Sequence, residues 1–305
     1  MKNARSIISF LGLALVVIIL EIASGGALLQ PSNVSTIVNE VFVLMIGSCA
    51  MVFLMAQGCM DLSMMGNVAF SCVFAVYAAK INPFLAIPVG IAVGLAIGLI
   101  NGLIHTYGKI HSLITTIGMS FVLAGLMMVA MNNQGTVPAP IEMIKMDSTV
   151  LRIVVLVIVG VVGWVLFERT RCGKYCKALG SNLEAARQSG INVNKVKILT
   201  FVLVGGICGM LSFFSILRTG TASSSVATGT QFNILIAVLL GGVSITGGST
   251  SKFRAAIIGS LTMAFLSVGM TLCSVDVTMQ QLIRGAIFLG IVTLTYDRQG
   301  IVIIK

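Results

Sequence analysis

The stretch YCKALGSNLEAARQSGINVNKVK, Tyr175 to Lys197, is a polar, basic interruption in an otherwise apolar chain, and its placement decides how the rest folds. Ser181 and Glu184 have the spacing of a capping box: the hydroxyl accepts from a first-turn amide and the carboxylate reaches back to a second orphan donor. Gly190 is placed to stop the helix, because glycine takes the left-handed conformation that ends many helices, with Ile191 positioned to pack back. The expected helix is about two turns long, marginal alone in water, and needs a surface to lie against. Leu183, Ala185 and Ala186 form a small apolar side, while Asn182, Arg187 and Gln188 stay polar. Small residues suit a shallow groove in a partner better than a lipid interface, which favours Trp, Phe or Leu. A solvated connector with a chance cap fits the same residues, and both readings stay open on physics alone.

Outward from this stretch, 57% of the 305 residues are hydrophobic and 9% charged, against roughly a quarter charged in an ordinary soluble domain. Spread over many long apolar runs, that balance describes an all-α polytopic membrane protein. The first run, 7–22, follows Lys2 and Arg5 as a signal peptide would. It lacks a clean small-residue cleavage site and equally apolar segments follow, so it reads as a retained first helix. Candidate spans are 6–22, 36–56, 67–80, 84–103, 111–131, 151–168, 196–217, 230–246, 254–273 and 279–296. The third is short for a full crossing of about 20 residues and reads as a broken or partial helix. The whole reads as a single transmembrane domain, 1–305, with a cytoplasmic loop at 169–197.

Alternating ten spans from a cytoplasmic N-terminus puts fourteen of the nineteen Lys and Arg residues on the inner side, among them Lys2, Arg5, Lys109, Lys252, Arg254, Arg298, Lys305 and the seven basic residues from Arg169 to Lys197. Such a bias predicts cytoplasmic termini. It also accounts for the net charge of +10 as topology, without nucleic acid as a partner. Gly90, Gly94, Gly98 and Gly102 recur every fourth residue, a smooth ridge for close approach of a neighbouring helix. Gly205-Gly206, Gly241-Gly242 and Gly247-Gly248 mark tight crossings or helix breaks. The seven cysteines are scattered, mostly inside apolar runs, and read as small buried hydrophobes. Cys172 and Cys176 are four apart but lack nearby partners for a metal.

The segment ALGSNLEAARQSGINVNKVKILTFVLVGGICG resembles the cytoplasmic EAA-type loop and following helix of ABC importer permeases of the ribose and related monosaccharide branch. Glu184, Ala185, Ala186 and Gly190 match its E-A-A-x-x-x-G core, and Asn182, Ile191, Asn192 and Val193 extend the match. GCMDLSMMGNVAF is similar to the family's I-D-L-S-V-G-S segment, keeping Asp61, Leu62 and Ser63 but placing Met64 and Met65 where valine and glycine are usual. TGTQFNILIAVLLGGVSITGGSTSKFRAAIIGS resembles G-x-x-Y/F-E-L-x-A-I-A-A-V-V-L-G-G-x-S-x-x-G-G. Gln231 and Asn233 stand where an acidic pair is usual, and Ser249-Thr250 replaces K-G after the second glycine pair; these departures leave the solute open.

The resemblance, which covers most of 36–296, implies the type II ABC importer permease architecture in a bacterial plasma membrane. It makes Gly180, Asn182, Glu184, Ala185, Ala186, Arg187, Gly190 and Ile191 an ATPase-coupling element. Implied partners are ABC ATPase subunits carrying ATP and Mg, an extracytoplasmic solute-binding protein, and a second permease subunit, identical or not. The chain has no G-x-x-x-x-G-K-[ST] phosphate loop of its own and is expected to bind no cofactor. Asp61, Ser63, Asn67, Asn101, Gln231, Phe232 and Asn233 are candidate polar groups along a translocation path, each equally able to bond a neighbouring helix. Ionisable residues in apolar segments, Glu40 and Arg284, line the path or pair structurally.

An ion-coupled secondary transporter is the main rival. It calls for intramembrane carboxylates or internal repeats, and here Glu40 is the one good acidic candidate, with no convincing repeat. An intramembrane enzyme is a further class, but His105 and His111 are six apart and no H-E-x-x-H or G-x-S-x-G pattern occurs.

Overall fold

Without water to satisfy amides, an apolar chain closes its backbone hydrogen bonds inside helices, and the computed structural model, which describes residues 2–223 and 229–295, is built of them. In chain order they are α1 (Lys2–Ala23), α2 (Pro31–Ala56), α3 (Met64–Ala79), α4 (Ala86–Tyr107, preceded by a 3-10 turn at Pro83–Leu85), α5 (Ser112–Ala130), α6 (Ile141–Ile144) and α7 (Thr149–Trp164, continued by a π turn at Val165–Arg169). Then come α8 (Arg171–Ser181), α9 (Leu183–Gln188), α10 (Val193–Thr219), α11 (Thr230–Leu240), α12 (Arg254–Leu272) and α13 (Val277–Thr295). Among the described residues six helices are long and apolar enough to cross a membrane, and α3, α11 and the apolar parts of α1 and α13 are shorter. These ten are the ten expected segments. Arg298 and Lys305 lie outside the described residues.

Two short strands, β1 (Thr136–Pro138) and β2 (Thr221–Ser223), pair antiparallel after α5 and α10 and mark one end of the bundle. At the opposite end the last turns of α2 and α8 meet the loop 241–253: Gly248 N donates to Ala56 O at 3.0 Å, and Ser249 N to Ser181 Oγ at 2.9 Å.

The centre is the crossing of α4 on α10. A Cβ on Gly94 would lie 2.3 Å from the Gly205 carbonyl oxygen, and one on Gly209 2.2 Å from that of Gly90. The predicted ridge on α4 therefore meets a matching glycine face on α10, Gly205 with Gly209, at backbone-to-backbone distance.

Two of the shorter apolar helices end at breaks in the chain. α3 has 16 residues because the chain is broken over 57–63 before it. α11 stops at Leu240 rather than at the expected 246. There Gly241 lies against the Ala255 carbonyl of α12, where a Cβ would come within 1.9 Å, and Gly242 turns the chain with φ +99°. The glycine pair is both a tight crossing and a break.

Candidate functional site

The polar stretch forms two helices, and this moves the cap. Thr170 opens α8 by accepting from Cys172 N at 3.2 Å, and α8 continues through Ser181. Ser181 is therefore helical and cannot cap α9. Asn182, in extended conformation, takes that place, its Oδ1 accepting from Ala185 N at 3.0 Å. Glu184 does not reach back; it pairs with Arg187 at 3.5 Å, both about two-thirds exposed. The expected capping box is thus replaced by an asparagine cap, and Arg187 shares a face with Glu184.

The C-terminal signal holds. Gly190 has φ +80°, its N–H donates to Arg187 O at 3.0 Å and Ile191 N donates to Ala186 O at 3.2 Å, a Schellman closure. Ala186 is buried against Leu179 and Val193, with Ile191 packed on them. Ala185 is exposed rather than part of that apolar side, so Leu183, Glu184, Ala185, Arg187 and Gln188 form an uncovered surface.

Below this surface α8 is fastened to the bundle. A Cβ on Gly180 would lie 2.0 Å from Ala56 O and 2.6 Å from Gly248 N, so α8 touches α2 and the 241–253 loop through backbone. Gln57 Nε2 donates to Thr200 Oγ1 at 2.7 Å and to Cys176 Sγ at 3.2 Å, joining α2, α8 and α10. Within α8, the hydrogen bond between Cys176 and Cys172 pulls the Cys172 thiol down to about 7 and pushes the Cys176 thiol up, with burial adding to the latter. Glu168, in the π turn that continues α7, has both oxygens engaged: Oε2 accepts from Lys177 Nζ of α8 at 2.6 Å, and Oε1 accepts from Phe253 N at the start of α12 at 2.9 Å. Glu168→Gln keeps an oxygen for Phe253 but loses the ionic bond to Lys177. In the transport role that the resemblance implies, it is expected to lower solute uptake several-fold at unchanged abundance, measured beside Lys177→Met, which removes the same bond from the other side; wild-type uptake in both would dismiss Glu168 as a strut.

The expected path residues divide into two groups. Asp61, Ser63, Asn67 and Asn101 are buried together where the chain breaks between α2 and α3. Asp61 Oδ1 accepts from Ser63 N at 2.7 Å and Ser63 Oγ at 2.6 Å, Asn101 Nδ2 donates to Ser63 Oγ at 2.8 Å, and Asn67 Nδ2 donates to Gly94 O at 3.3 Å. Hydroxyls of α5 receive the freed amides of the break: Met60 N donates to Ser112 Oγ at 3.2 Å and Leu62 N to Thr116 Oγ1 at 3.1 Å. Irregular backbone inside a bundle survives only when so satisfied. Asn101 Oδ1 stays buried without a partner among the described residues.

Gln231, Phe232 and Asn233 sit elsewhere, in the first turn of α11, with Phe232 exposed. Beside that turn a cavity of about 300 Å³ opens among α2, α7, α10 and α11, with Met65 of α3 also in its lining. Glu40 and Arg218 face each other across it with a closest approach of 4.0 Å. Arg284 is not in its lining; its Nη2 donates to Gln280 Oε1 at 3.0 Å and Ser267 Oγ at 3.3 Å. Sequence reasoning singled out Glu40 but not Arg218, Gln57 or Glu168: the partners of Arg218 and Gln57 lie more than a hundred residues away, and Glu168 joins Lys177, nine residues on, to Phe253, 85 residues on, with no local pattern to mark any of them.

The described residues thus form a helical bundle with broken short helices, a cavity at one end and a polar, uncovered helix at the other. The chain belongs to the family described as branched-chain amino acid transport system / permease component, whose model matches residues 33–292. It is similar to the ribose import permease protein of Escherichia coli, 27% identical over 88% of this chain and 87% of that one. It is also similar to the L-arabinose ABC transporter permease protein of Azospirillum brasilense, 32% identical over 86% and 79%, and to the ribose import permease protein of Bacillus subtilis, 30% identical over 92% and 89%. No solved structure gives a significant match.

Proposed function

We propose that this chain is the permease subunit of an ATP-binding-cassette importer for a monosaccharide, taking its energy from a separate ATPase that docks on α9. The observation that carries the reading is α9 itself: a capped, glycine-closed helix whose outer face is bare while Ala186 seats it on α8 and α10, and α8 in turn is fixed by backbone contact to α2 and the 241–253 loop. A helix of six residues gains nothing from independent stability; fixed at its base, it can pass a push from a partner into the bundle. The sugar follows from the names of the relatives, which are ribose and L-arabinose permeases.

The α8–α9 end faces the cytoplasm in this reading, since the basic cluster from Arg169 to Lys197 lies there. The β1–β2 end then faces the extracytoplasmic solute-binding protein, and a second permease subunit, identical or related, completes the path. Asp61, Ser63, Asn67 and Asn101 fix the broken segment 57–63, which α8 holds by Gln57, and so stand where movement of α9 would reach the interior. An ion-coupled transporter is not favoured, because relatives are ABC transporter permeases and Glu40, the acidic candidate, already faces Arg218. Purification of the tagged chain is expected to bring down an ATPase and, with solute, a binding protein; a panel of sugars on that binding protein then names the cargo. A chain that purifies alone and accumulates sugar in response to membrane potential without ATP would refute the reading.

A further inference from the structure

We propose that the cavity at the β1–β2 end selects a neutral monosaccharide on entry, with Glu40 and Arg218 as its two hydroxyl-binding groups; this rests on the permease reading above. The cavity holds about 300 Å³, the low end of the range for small-molecule sites, suited to one sugar ring rather than an oligosaccharide. Phe42 and Phe214 form an apolar wall, their ring centroids 4.8 Å apart and tilted by 57°, which offers a surface to the C–H face of a pyranose or furanose.

Elsewhere in the lining the polar groups are only partly engaged. Glu40 and Arg218 approach no closer than 4.0 Å, too far for a hydrogen bond, and are about a quarter and a half exposed. A carboxylate presents two acceptor oxygens and a guanidinium a planar fork of donors, so each matches a pair of neighbouring hydroxyls, which both donate and accept. Seated between them, a sugar diol would bridge the gap that the pair leaves open.

Charge balance points to a neutral cargo. Of the two arginines lining the cavity, Arg152 is matched by Asp147 at 2.7 Å and by Asn39 Oδ1, leaving Glu40 against Arg218 within the lining, while Arg284, outside it, also acts electrostatically on Glu40. A carboxylate or phosphate on the sugar would meet Glu40 with like charge, and an amine would meet Arg218. Met65 also lines the cavity, two residues from Ser63 and Asn67.

The test uses the complete transporter in proteoliposomes, with its ATPase and binding protein, and radiolabelled D-ribose, L-arabinose, D-xylose and the anionic D-gluconate. Glu40→Gln and Arg218→Gln are expected to change the ratios among the three neutral sugars by about tenfold, the scale of a lost charged hydrogen bond. A defect of folding or coupling would scale all sugars alike. Thr230→Trp, an uncharged plug at a lining position, is expected to stop uptake of all of them with the assembly intact. Wild-type ratios in both charge variants, unhindered uptake in Thr230→Trp, or preference of the wild type for gluconate would each overturn the assignment while leaving an ATP-driven importer in place. Failure of the wild type to take up any of the four would instead overturn the monosaccharide reading on which it rests.

Discussion

Gly190→Pro is expected to leave the permease in the membrane at normal abundance and to cut solute uptake roughly tenfold or more while the partner ATPase continues to hydrolyse ATP. Gly190 has φ +80°, whereas proline holds φ near −65°, and the substitution also deletes the N–H that donates to Arg187 O at 3.0 Å. The penalty is on the order of 3 kcal/mol or more, beyond what a helix of six residues can absorb. The damage stays local, because no atom outside the adjoining residues lies within 4 Å of a Cβ built on Gly190. Gly190→Ala, which keeps the N–H and meets only the left-handed penalty of about 1–2 kcal/mol, should fall between. Glu184→Arg complements it: the change sets two like charges at i and i+3, worth only a few tenths of a kcal/mol to the helix, so a large loss of coupling would come from the partner surface. Uptake and ATP hydrolysis measured together in proteoliposomes decide the matter, and wild-type uptake in both Gly190→Pro and Glu184→Arg would remove α9 from the coupling route.

Gly94→Leu should abolish accumulation of folded protein. Its Cβ would fall 2.3 Å from the Gly205 carbonyl and 2.7 Å from the Gly209 amide nitrogen, both backbone atoms that cannot swing aside. Overpacking typically costs about 1–3 kcal/mol where side chains can yield; here α4 and α10 must separate along their whole crossing, so the loss is expected to exceed that range. Gly118→Leu on α5 is the matched control, since a Cβ there meets nothing of the chain within 4 Å. Membrane-fraction abundance and monodispersity in detergent report the outcome; equal yields of the two variants would contradict the α4–α10 crossing as the centre of the bundle.

The number and place of the apolar helices were legible because span length and hydrophobic runs are local properties of the chain. The glycine ridge on α4 was legible for the same reason, whereas its counterpart on α10, Gly205 with Gly209, is a shorter pattern that gains meaning only from the facing helix. The end of α11 was placed six residues too far, because Val243 and Ile245 continue the apolar run and hydropathy does not register that Ala255 occupies the space beside Gly241. The cap of α9 was misplaced by one residue: Ser181 and Glu184 have the right spacing, but α8 runs through Ser181 and leaves Asn182 at the boundary. Of the path candidates, the four around the helix break came together, since hydroxyl and amide groups in an apolar interior must find one another. Gln231, Phe232 and Asn233 lie in the first turn of α11 instead, and the cavity there draws on five helices that no local motif connects.

The exposed residue Ala185 at the centre of α9 offers the most direct test of the account. Ala185→Cys, read as the difference from the parent chain, should react with a membrane-impermeant maleimide in inside-out vesicles stripped of the ATPase. It should be protected when the ATPase is restored, and stay unlabelled in intact cells. Labelling that is indifferent to the ATPase, or labelling from outside the cell, would contradict α9 as the cytoplasmic docking helix.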